Sequence, residues 1–227
     1  MDRRPEPELM NGHEQVHAYA TADFSEGDQD FIHSLETLFS KGLSLQSEPL
    51  FVDLGCGPGN ISERLMRKWP SASVIGIDGA EAMLTVACDR QRQAVDLQNL
   101  EYKCIPLGDI AAGKLSLPRQ ADLIVSNSLL HHLHNPQLLW QSLKLLCRPH
   151  AFVFHRDLRR PASEQHVQDL QLRYLYKAPT ILKRDFLASL HAAFTVEEVS
   201  KQLVQAGLDQ LKVEAIGDRY LQVSGTL

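Results

Sequence analysis

The sequence predicts an α/β fold in which a mainly parallel β-sheet carries helices on both faces. Three observations lead to this class. Between Pro49 and Pro161, short apolar runs alternate with helical stretches, a spacing typical of βαβ units. Helical stretches flank this region on both sides. Two closing strands meet at Gly217-Asp218, a dipeptide that favours a tight antiparallel hairpin.

Residues 1–48 are predicted to form a helical cap. Helices are expected at 13–21 and 28–40, because apolar residues in the second stretch recur at helical spacing. Gly42 is predicted to close that second helix. The residues of its apolar stripe are Phe31, Ile32, Leu35, Leu38 and Phe39.

Residues 49–160 are predicted to form the core of the sheet. Strands are expected at 50–54, 73–77, 101–105, 121–126 and 151–156, and helices at 61–68, 80–95 and 137–147. Residues 161–194 are predicted to be a helical insertion or lid, with helices at 164–174 and 181–191. Residues 195–227 are predicted to contain a helix at 195–206, which Thr195 caps, and strands at 211–216 and 220–224. The whole chain is therefore expected to be a single domain.

Composition excludes several classes of protein. The 227 residues are 44% hydrophobic and 22% charged, which is globular and not disordered. Twenty-three basic and 28 acidic side chains give a net charge of −5, so the basic footprint of a nucleic-acid-binding protein is absent. The four cysteines form no CxxC pair and indicate reduced thiols in the cytoplasm. No membrane span and no signal peptide are expected, because no apolar run approaches the required length.

A glycine-rich loop follows the first predicted strand. The segment FVDLGCGPGN, residues 51–60, runs from a buried strand directly into a helix. Glycine permits positive φ and a close approach of backbone to a ligand, and the free N–H groups of the helix point to the same place. The G-x-G-x-G spacing differs from the G-x-G-x-x-G of dinucleotide sites. Asp53, two residues before Gly55, favours a ligand with a cationic amino or sulfonium group.

Two further acids follow the next predicted strands. Asp78 ends the strand VIGID, where a carboxylate can accept two hydrogen bonds from a ribose diol. Asp109 follows the third strand and is placed to reach an adenine amino group. Each acid alone is equally consistent with a helix cap or a loop residue. Together with Asp53 they predict one ligand site at the carboxyl edge of the sheet.

At these motifs the sequence resembles the class I S-adenosylmethionine (SAM)-dependent methyltransferases of the small-molecule type (type 11/25-like). DLGCGPGN is similar to their first motif, IDGAEAML to the acidic ribose motif, GDI to the adenine motif, and ADLIVSNSLLHHLHNP to their fourth strand and the turn after it. The resemblance covers roughly residues 48–160. It implies a Rossmann-like, seven-stranded sheet of order 3-2-1-4-5-7-6 with the last strand antiparallel, helices on both faces and a helical N-terminal cap.

The resemblance also implies SAM as the cofactor. It assigns the methionine part to the glycine loop and Asn127, the ribose to Asp78, and the adenine to Met83 and the GDI segment. The cofactor-binding residues predicted in this way are Asp53, Gly55, Gly57, Asn60, Asp78, Gly79, Met83, Asp109, Ile110, Asn127 and Tyr19.

Two departures from the family pattern bear on structure and substrate. Pro149-His150-Ala151 stands where the family usually has Pro-Gly-Gly, so the turn before the fifth strand is expected to differ. The Pro-Pro-Tyr/Phe that marks methylation of base or amide nitrogens does not follow the fourth strand. Together with the acidic charge, its absence argues against a nucleic acid substrate.

The turn after the fourth strand offers candidates for a general base. A base that removes a proton from the acceptor adds on the order of 10²–10⁴-fold to the rate. His131 and His132 are the catalytic candidates. Neighbours on a helical turn point about 100° apart, so only one of the two is expected to face the acceptor. His132 is favoured because it matches the family's more usual position. A surface or core-edge role is the alternative for His131. No metal is expected, because methyltransferases that hold a cation at this turn use acids there.

Aromatic and charged residues outside the core are candidates for contacts with the acceptor. Tyr19 lies in the cap, which in this family folds over the cofactor. Phe24 and Tyr174 are predicted to line the acceptor pocket, although aromatic residues at helical spacing are more often part of a core. Arg156 and Asp157 are expected to leave the end of the fifth strand, on the ligand-binding edge of the sheet.

The leading interpretation is methyl transfer from SAM to a small-molecule acceptor by in-line displacement, giving S-adenosylhomocysteine (SAH). A non-catalytic SAM-binding module is the alternative, and a nucleotide-dependent oxidoreductase is a weaker one, against which the glycine spacing and Asp53 count. The expected partners are the small acceptor and, at most, a second copy of the chain. Neither a nucleic acid nor a membrane is expected as a partner. The sequence leaves open whether the accepting atom is O, N, S or C.

Overall fold

The structure is a computed structural model that describes residues 1–7, 9–10, 12–40 and 46–227. Its helices are α1 (His13–Thr21), α2 (Ser25–Ser40), α3 (Asn60–Lys68), α4 (Glu81–Arg92), α5 (Leu107–Ala111), α6 (Gln137–Leu146), α7 (Glu164–Leu175), α8 (Thr180–Ala192) and α9 (Val196–Ala206), with a 3₁₀ turn at Leu130–His132. Its strands are β1 (Leu50–Leu54), β2 (Ser73–Asp78), β3 (Leu100–Cys104), β4 (Ala121–Asn127), β5 (Cys147–Leu158), β6 (Lys212–Ile216) and β7 (Tyr220–Thr226). The prediction that Gly42 closes α2 lies outside the described residues.

The seven strands form one sheet of order β3-β2-β1-β4-β5-β7-β6. The pairs from β3 to β5 are parallel, and β7 is antiparallel to both β5 and β6. The predicted fold class and strand order are therefore confirmed. Strand order reverses between β1 and β4, and open α/β sheets bind ligands at the carboxyl ends of the strands at such a point.

Side chains of β1 alternate between two apolar layers, one on each face of the sheet. Val52 faces a layer to which α6 and α9 contribute Trp140 and Leu203. Phe51 faces the other layer, where Phe31 of α2 stands edge-on to Phe154 of β5 at 4.8 Å between ring centroids. The second helix of the predicted cap is thus part of the hydrophobic core.

Helices α2 and α4 and strands β5 and β7 have boundaries that differ from the sequence predictions by two or more residues; α2, for example, begins at Ser25 and not at residue 28. Helix α4 was expected to reach residue 95 but ends at Arg92. Val95 fits the apolar period of the helix, but its side chain is 89% exposed, so burial of Val95 does not stabilise a longer helix. Beyond that helix end, the Gln91 amide donates to the carbonyls of Leu97 and Leu100 and stabilises the irregular segment.

Strand β5 extends beyond its predicted limits at both ends. It begins at Cys147, and the unusual turn sequence lies within it, with His150 at φ 62°. At the other end it continues to Leu158, which pairs with Tyr220 of β7. Arg156 and Asp157 therefore lie inside the strand and do not leave its end as predicted.

Across the part of the chain that the structure describes, no helix combines the length and the apolar character needed to cross a membrane.

Candidate functional site

A cavity of about 210 Å³ lies at the carboxyl ends of β1, β2 and β4. Ten of the residues predicted to bind the cofactor line it: Tyr19, Asp53, Gly55, Gly57, Asn60, Asp78, Gly79, Met83, Ile110 and Asn127. His132 also lines the cavity. Leu9, Met10, Asp28 and Leu129 are among the lining residues that the sequence analysis did not select.

The glycine loop adopts the backbone conformation that its sequence predicts. Gly57 has φ +53°, and its N–H donates to Asp78 Oδ2 at 2.8 Å. Gly59 has φ +87°, and a Cβ there would come within 2.1 Å of the Tyr102 hydroxyl oxygen. Glycine is needed at both positions, because a side chain is strained at positive φ. The loop can thus bring backbone N–H groups to the wall of the cavity.

Asp78 is fixed at the end of β2 by backbone hydrogen bonds. Its Oδ1 accepts from the Ala80 N–H at 2.7 Å and its Oδ2 from the Gly57 N–H. Burial raises the pKa of the Asp78 carboxyl, although these N–H groups oppose the shift. Each carboxylate oxygen keeps acceptor capacity beyond these bonds, which suits a diol.

Asp53 is buried beneath the glycine loop. Its Oδ2 accepts from Ser62 Oγ at 2.6 Å. Burial, aided by the negative charge of Asp78, raises the pKa of Asp53 to about 7. A cationic ligand group in the cavity would stabilise the ionised form of Asp53. The buried carboxyl and the nearby diol acceptor therefore fit a ligand that carries both a cation and a ribose, as SAM does.

Asp109 and Ile110 are adjacent residues of the short helix α5, which the sequence analysis did not predict. Ile110 is buried and lines the cavity. The Asp109 side chain is 45% exposed and pairs with Lys114 at 2.8 Å. Of these two residues, only Ile110 therefore contributes to the described cavity wall.

The 3₁₀ turn after β4 carries the two candidate histidines and is held by Asp157 of β5. Asp157 Oδ2 accepts from the Leu130 N–H at 2.5 Å, and its Oδ1 is hydrogen-bonded to His131 Nδ1. Burial alone would lower the pKa of His131, but the Asp157 carboxylate outweighs it and the pKa is raised. Burial alone would raise the pKa of Asp157, and His131 in turn keeps it low.

The two histidine rings lie side by side and do not diverge as expected for a helical turn. Their centroids are 4.2 Å apart and their planes are tilted by 36°. His132 lines the cavity, whereas His131 is turned to Asp157 behind it. Burial, aided by the charge of His131, lowers the pKa of His132 to about 3, so the His132 imidazole is neutral at physiological pH.

Residues 1–7 and 9–10, here called the N-terminal strap, cross the histidine turn. Arg3 Nη2 donates to the carbonyls of His131 at 3.0 Å and Leu133 at 2.9 Å. Glu6 Oε1 lies 3.2 Å from His132 Nδ1 and 3.5 Å from His131 Nε2. The strap thus places a carboxylate against both candidate bases. Sequence reasoning missed Glu6, because isolated residues of a non-periodic segment carry no signal.

Four residues predicted to bind the acceptor lie outside the described cavity wall. Asp157 is behind the histidine turn, as described above. Phe24 packs against Tyr19 with ring centroids 4.7 Å apart. The Tyr174 hydroxyl donates to Asp218 at 2.7 Å on the protein surface.

Arg156, the fourth, is buried and bound to groups of the chain itself. Its guanidinium donates to Asp30 at 2.6 Å, to Ser34 at 2.9 Å and to Gln222 at 3.1 Å. The guanidinium that was expected to contact the acceptor is therefore paired with the Asp30 carboxylate on α2.

Residues 52–153 match a family described as "Methyltransferase domain", in its type 12 subdivision. The chain is 30% identical over 109 residues to a ubiquinone biosynthesis O-methyltransferase of Acinetobacter baumannii (strain AYE), covering 48% of this chain and 44% of that protein. It is 30% identical over 157 residues to the protein of that name from Acinetobacter baylyi, covering 69% and 62%. A malonyl-[acyl-carrier protein] O-methyltransferase of Bacillus cereus is 30% identical over 111 residues, covering 49% and 38%. The chain thus spans less than two thirds of each of these relatives.

Solved structures share the fold at low sequence identity. A SAM-dependent methyltransferase from Aquifex aeolicus superimposes with a TM-score of 0.65 at 18% identity, covering 94% of this chain and 97% of that one. The plantazolicin methyltransferase BpumL, in complex with a triazolic desmethylPZN analog and SAH, superimposes with a TM-score of 0.68 at 14% identity, covering 94% and 90%.

Proposed function

We propose that the chain is a class I SAM-dependent methyltransferase and that it methylates an oxygen atom of a small organic acceptor. The observation that carries the proposal is that Asp78 and His132 line the same cavity on either side of the glycine loop. Such a transfer needs two groups from the protein. One accepts hydrogen bonds from the ribose diol of the cofactor, at the end of β2, and the other accepts a proton from the methyl acceptor, after β4.

The cofactor is SAM, whose sulfonium supplies an activated methyl group. We assign its ribose to Asp78, its adenine to the apolar wall formed by Met83 and Ile110, and its cationic end to the neighbourhood of Asp53. Each assignment pairs a chemical group with a described side chain of matching polarity. The glycine loop between Asp53 and Asp78 lets the backbone approach the ligand closely.

The histidine turn supports an acceptor with an acidic O–H group. His132 faces the cavity, and the His131–Asp157 pair fixes the turn from behind. The neutral imidazole of His132, with its pKa of about 3, can accept the proton of a phenol as the oxygen takes up the methyl group, because the O–H group becomes strongly acidic at that point. The relatives named above are O-methyltransferases, which agrees with an oxygen acceptor.

A panel of acceptors tests the oxygen assignment. With SAM present, phenols and carboxylic acids are expected to give SAH faster than amines or thiols of similar size. Preferential methylation of an amine or a thiol would refute the assignment. Calorimetry with SAM and with NAD separates this proposal from a nucleotide-dependent oxidoreductase, because only SAM is expected to bind.

The pKa of Asp53 predicts how SAM affinity depends on pH. In the free protein the carboxyl ionises near pH 7, and a bound cation favours its charged form. Below pH 7, binding must therefore release a proton, so affinity rises with pH. Because Asp53 must lose this proton when SAM binds, the dissociation constant of SAM is expected to be about tenfold lower at pH 8 than at pH 6. Calorimetric titrations at both pH values measure this ratio.

The control for this prediction is Asp53→Asn, which removes the ionisation with little change in shape. Its SAM affinity is expected to be nearly the same at pH 6 and pH 8. An equally steep pH dependence in the variant would show that another group is responsible.

Tyr19 provides a test of the cap. It lines the cavity and packs against Met83 and its neighbours. Tyr19→Ala is expected to weaken SAM binding about tenfold, the equivalent of roughly 1.4 kcal/mol of lost apolar contact. Tyr174→Ala, which removes a surface tyrosine outside the described cavity wall, is the matched control and should leave the affinity unchanged. Equal affinities of the two variants would remove Tyr19 from the site.

A further inference from the structure

We propose that Glu6, His131 and His132 bind a divalent transition-metal cation of the Zn²⁺ type beside the cavity. These three side chains form a cluster that brings together the N-terminal strap and the turn after β4. In the metal-bound form the cation, and not the imidazole of His132, would activate the acceptor O–H group. This role of the cation rests on the proposed function, whereas binding of the cation does not.

Distances within the cluster match those of a small metal site. Glu6 Oε1 lies 3.2 Å from His132 Nδ1 and 3.5 Å from His131 Nε2. All three ligand atoms lie within 4.8 Å of one another. A tetrahedral Zn²⁺ with bonds of about 2.0–2.1 Å to nitrogen and oxygen holds its ligand atoms roughly 3.3 Å apart. Two histidines and one carboxylate are also a ligand set that such ions prefer.

His132 Nδ1 has a buried lone pair that the described residues do not satisfy. The imidazole has a hydrogen bond with the Pro7 backbone, and proline offers only its carbonyl as an acceptor. Nδ1 has no hydrogen-bond partner among the described residues. The ring nitrogen that donates to the Pro7 carbonyl is therefore Nε2, which carries the proton. Nδ1 thus presents a lone pair to the Glu6 carboxylate, another acceptor. A cation between these two atoms satisfies both.

The surrounding residues orient the other two ligands. His131 Nδ1 is hydrogen-bonded to the Asp157 carboxylate, and its Nε2 faces Glu6. In many metal sites a carboxylate orients a metal-binding histidine in this way. Glu6 Oε1 accepts from Ser189 Oγ at 3.0 Å. His134 Nε2 is hydrogen-bonded to the Glu6 carbonyl at 2.8 Å. His131 and Glu6 are therefore held in place by hydrogen bonds of the protein itself, independently of a metal.

An ion pair is the competing explanation of this cluster. A protonated His131 between Glu6 and Asp157 accounts for the two carboxylates, but it leaves His132 Nδ1 without a partner. A divalent cation bound to two neutral histidines balances both carboxylates and also uses that nitrogen. Three protein ligands leave a coordination position free, and His132 borders the cavity in which the acceptor is proposed to bind.

The test is a titration of the full chain, without an affinity tag and after treatment with a chelator, with Co²⁺ alone. One Co²⁺ per chain is expected, with visible absorption bands typical of a four- or five-coordinate site, and Zn²⁺ should displace it. Glu6→Gln and His132→Ala are each expected to weaken Co²⁺ binding at least tenfold. Asp157→Asn should weaken it about 10–100-fold through the orientation of His131.

His33→Ala is the control, because His33 is exposed on α2 and lies outside the cluster. Circular dichroism and thermal melting establish that each variant is folded. Absence of stoichiometric Co²⁺ binding, or binding that Glu6→Gln leaves intact, would overturn the proposal in favour of the ion pair. Since SAM is not present in the titration, a chain that binds Co²⁺ but transfers no methyl group would refute the proposed function and leave the metal site standing.

Discussion

Replacing His132 by alanine is expected to lower kcat by on the order of 10²–10⁴-fold, the usual contribution of a group that assists proton removal. The dissociation constant of SAM should stay within about threefold of the native value. This combination is expected because His132 borders the cavity on the β4 side, whereas the proposed ribose acceptor follows β2. A loss confined to kcat indicates an interaction made in the transition state.

Steady-state kinetics on an acceptor from the panel and calorimetry with SAM give the two numbers. His33→Ala is again the control and should behave as the native protein. If His132→Ala and His131→Ala both retain most of their kcat, the histidine turn takes no part in the reaction of that acceptor. If only His131→Ala shows the loss, the chemistry stands and the choice between the two neighbours is wrong.

Asp78→Ala is expected to weaken SAM binding at least tenfold. The substitution removes two charge-assisted hydrogen bonds to a ribose diol, each worth roughly 1.5–3 kcal/mol. It also releases the Gly57 N–H, which the carboxylate holds at 2.8 Å, so the glycine loop loses an internal support. Calorimetric titration with SAM and with SAH measures the effect.

Asp109→Ala is the matched control for Asp78. Both acids follow neighbouring strands, but Asp109 pairs with Lys114 at the surface and lies outside the described cavity wall. Its removal is expected to change SAM affinity by less than about threefold, because exposed ion pairs contribute little. Unchanged affinity in Asp78→Ala, or a large loss in Asp109→Ala, would reverse the assignment of the two acids.

The sheet could be predicted because its strands carry a strong local signal. The core strands β1 and β4 are buried on both faces and consist mainly of apolar residues, and helices of one or more turns separate the strands of the parallel core. The positions of Asp53 and Asp78 follow from strand ends alone. The same reasoning failed at Val95. Its apolar side chain matched the helical period and predicted a longer helix, but the side chain is exposed and does not pack in the core.

The rest of the site depends on contacts between distant parts of the chain. The sequence shows Arg156 but not that Asp30 of α2 would neutralise it. It shows two adjacent histidines but not that Glu6 would meet them. The expectation of no metal considered only residues within the turn, where no acid is present. Contacts of this kind follow from tertiary packing and leave no periodic pattern in the sequence.

Incubation with methyl-deuterated SAM shows whether this chain transfers a methyl group. The full chain is mixed with the labelled cofactor and a metabolite extract, and mass spectrometry follows both labelled products and SAH. We expect a labelled small molecule to appear together with an equal amount of SAH, and both to be strongly reduced with His132→Ala. The contrary result is that SAM binds, but neither a labelled product nor SAH forms with the extract or with the acceptor panel. Methyl transfer would then be refuted, and the chain would be a SAM-binding module without turnover.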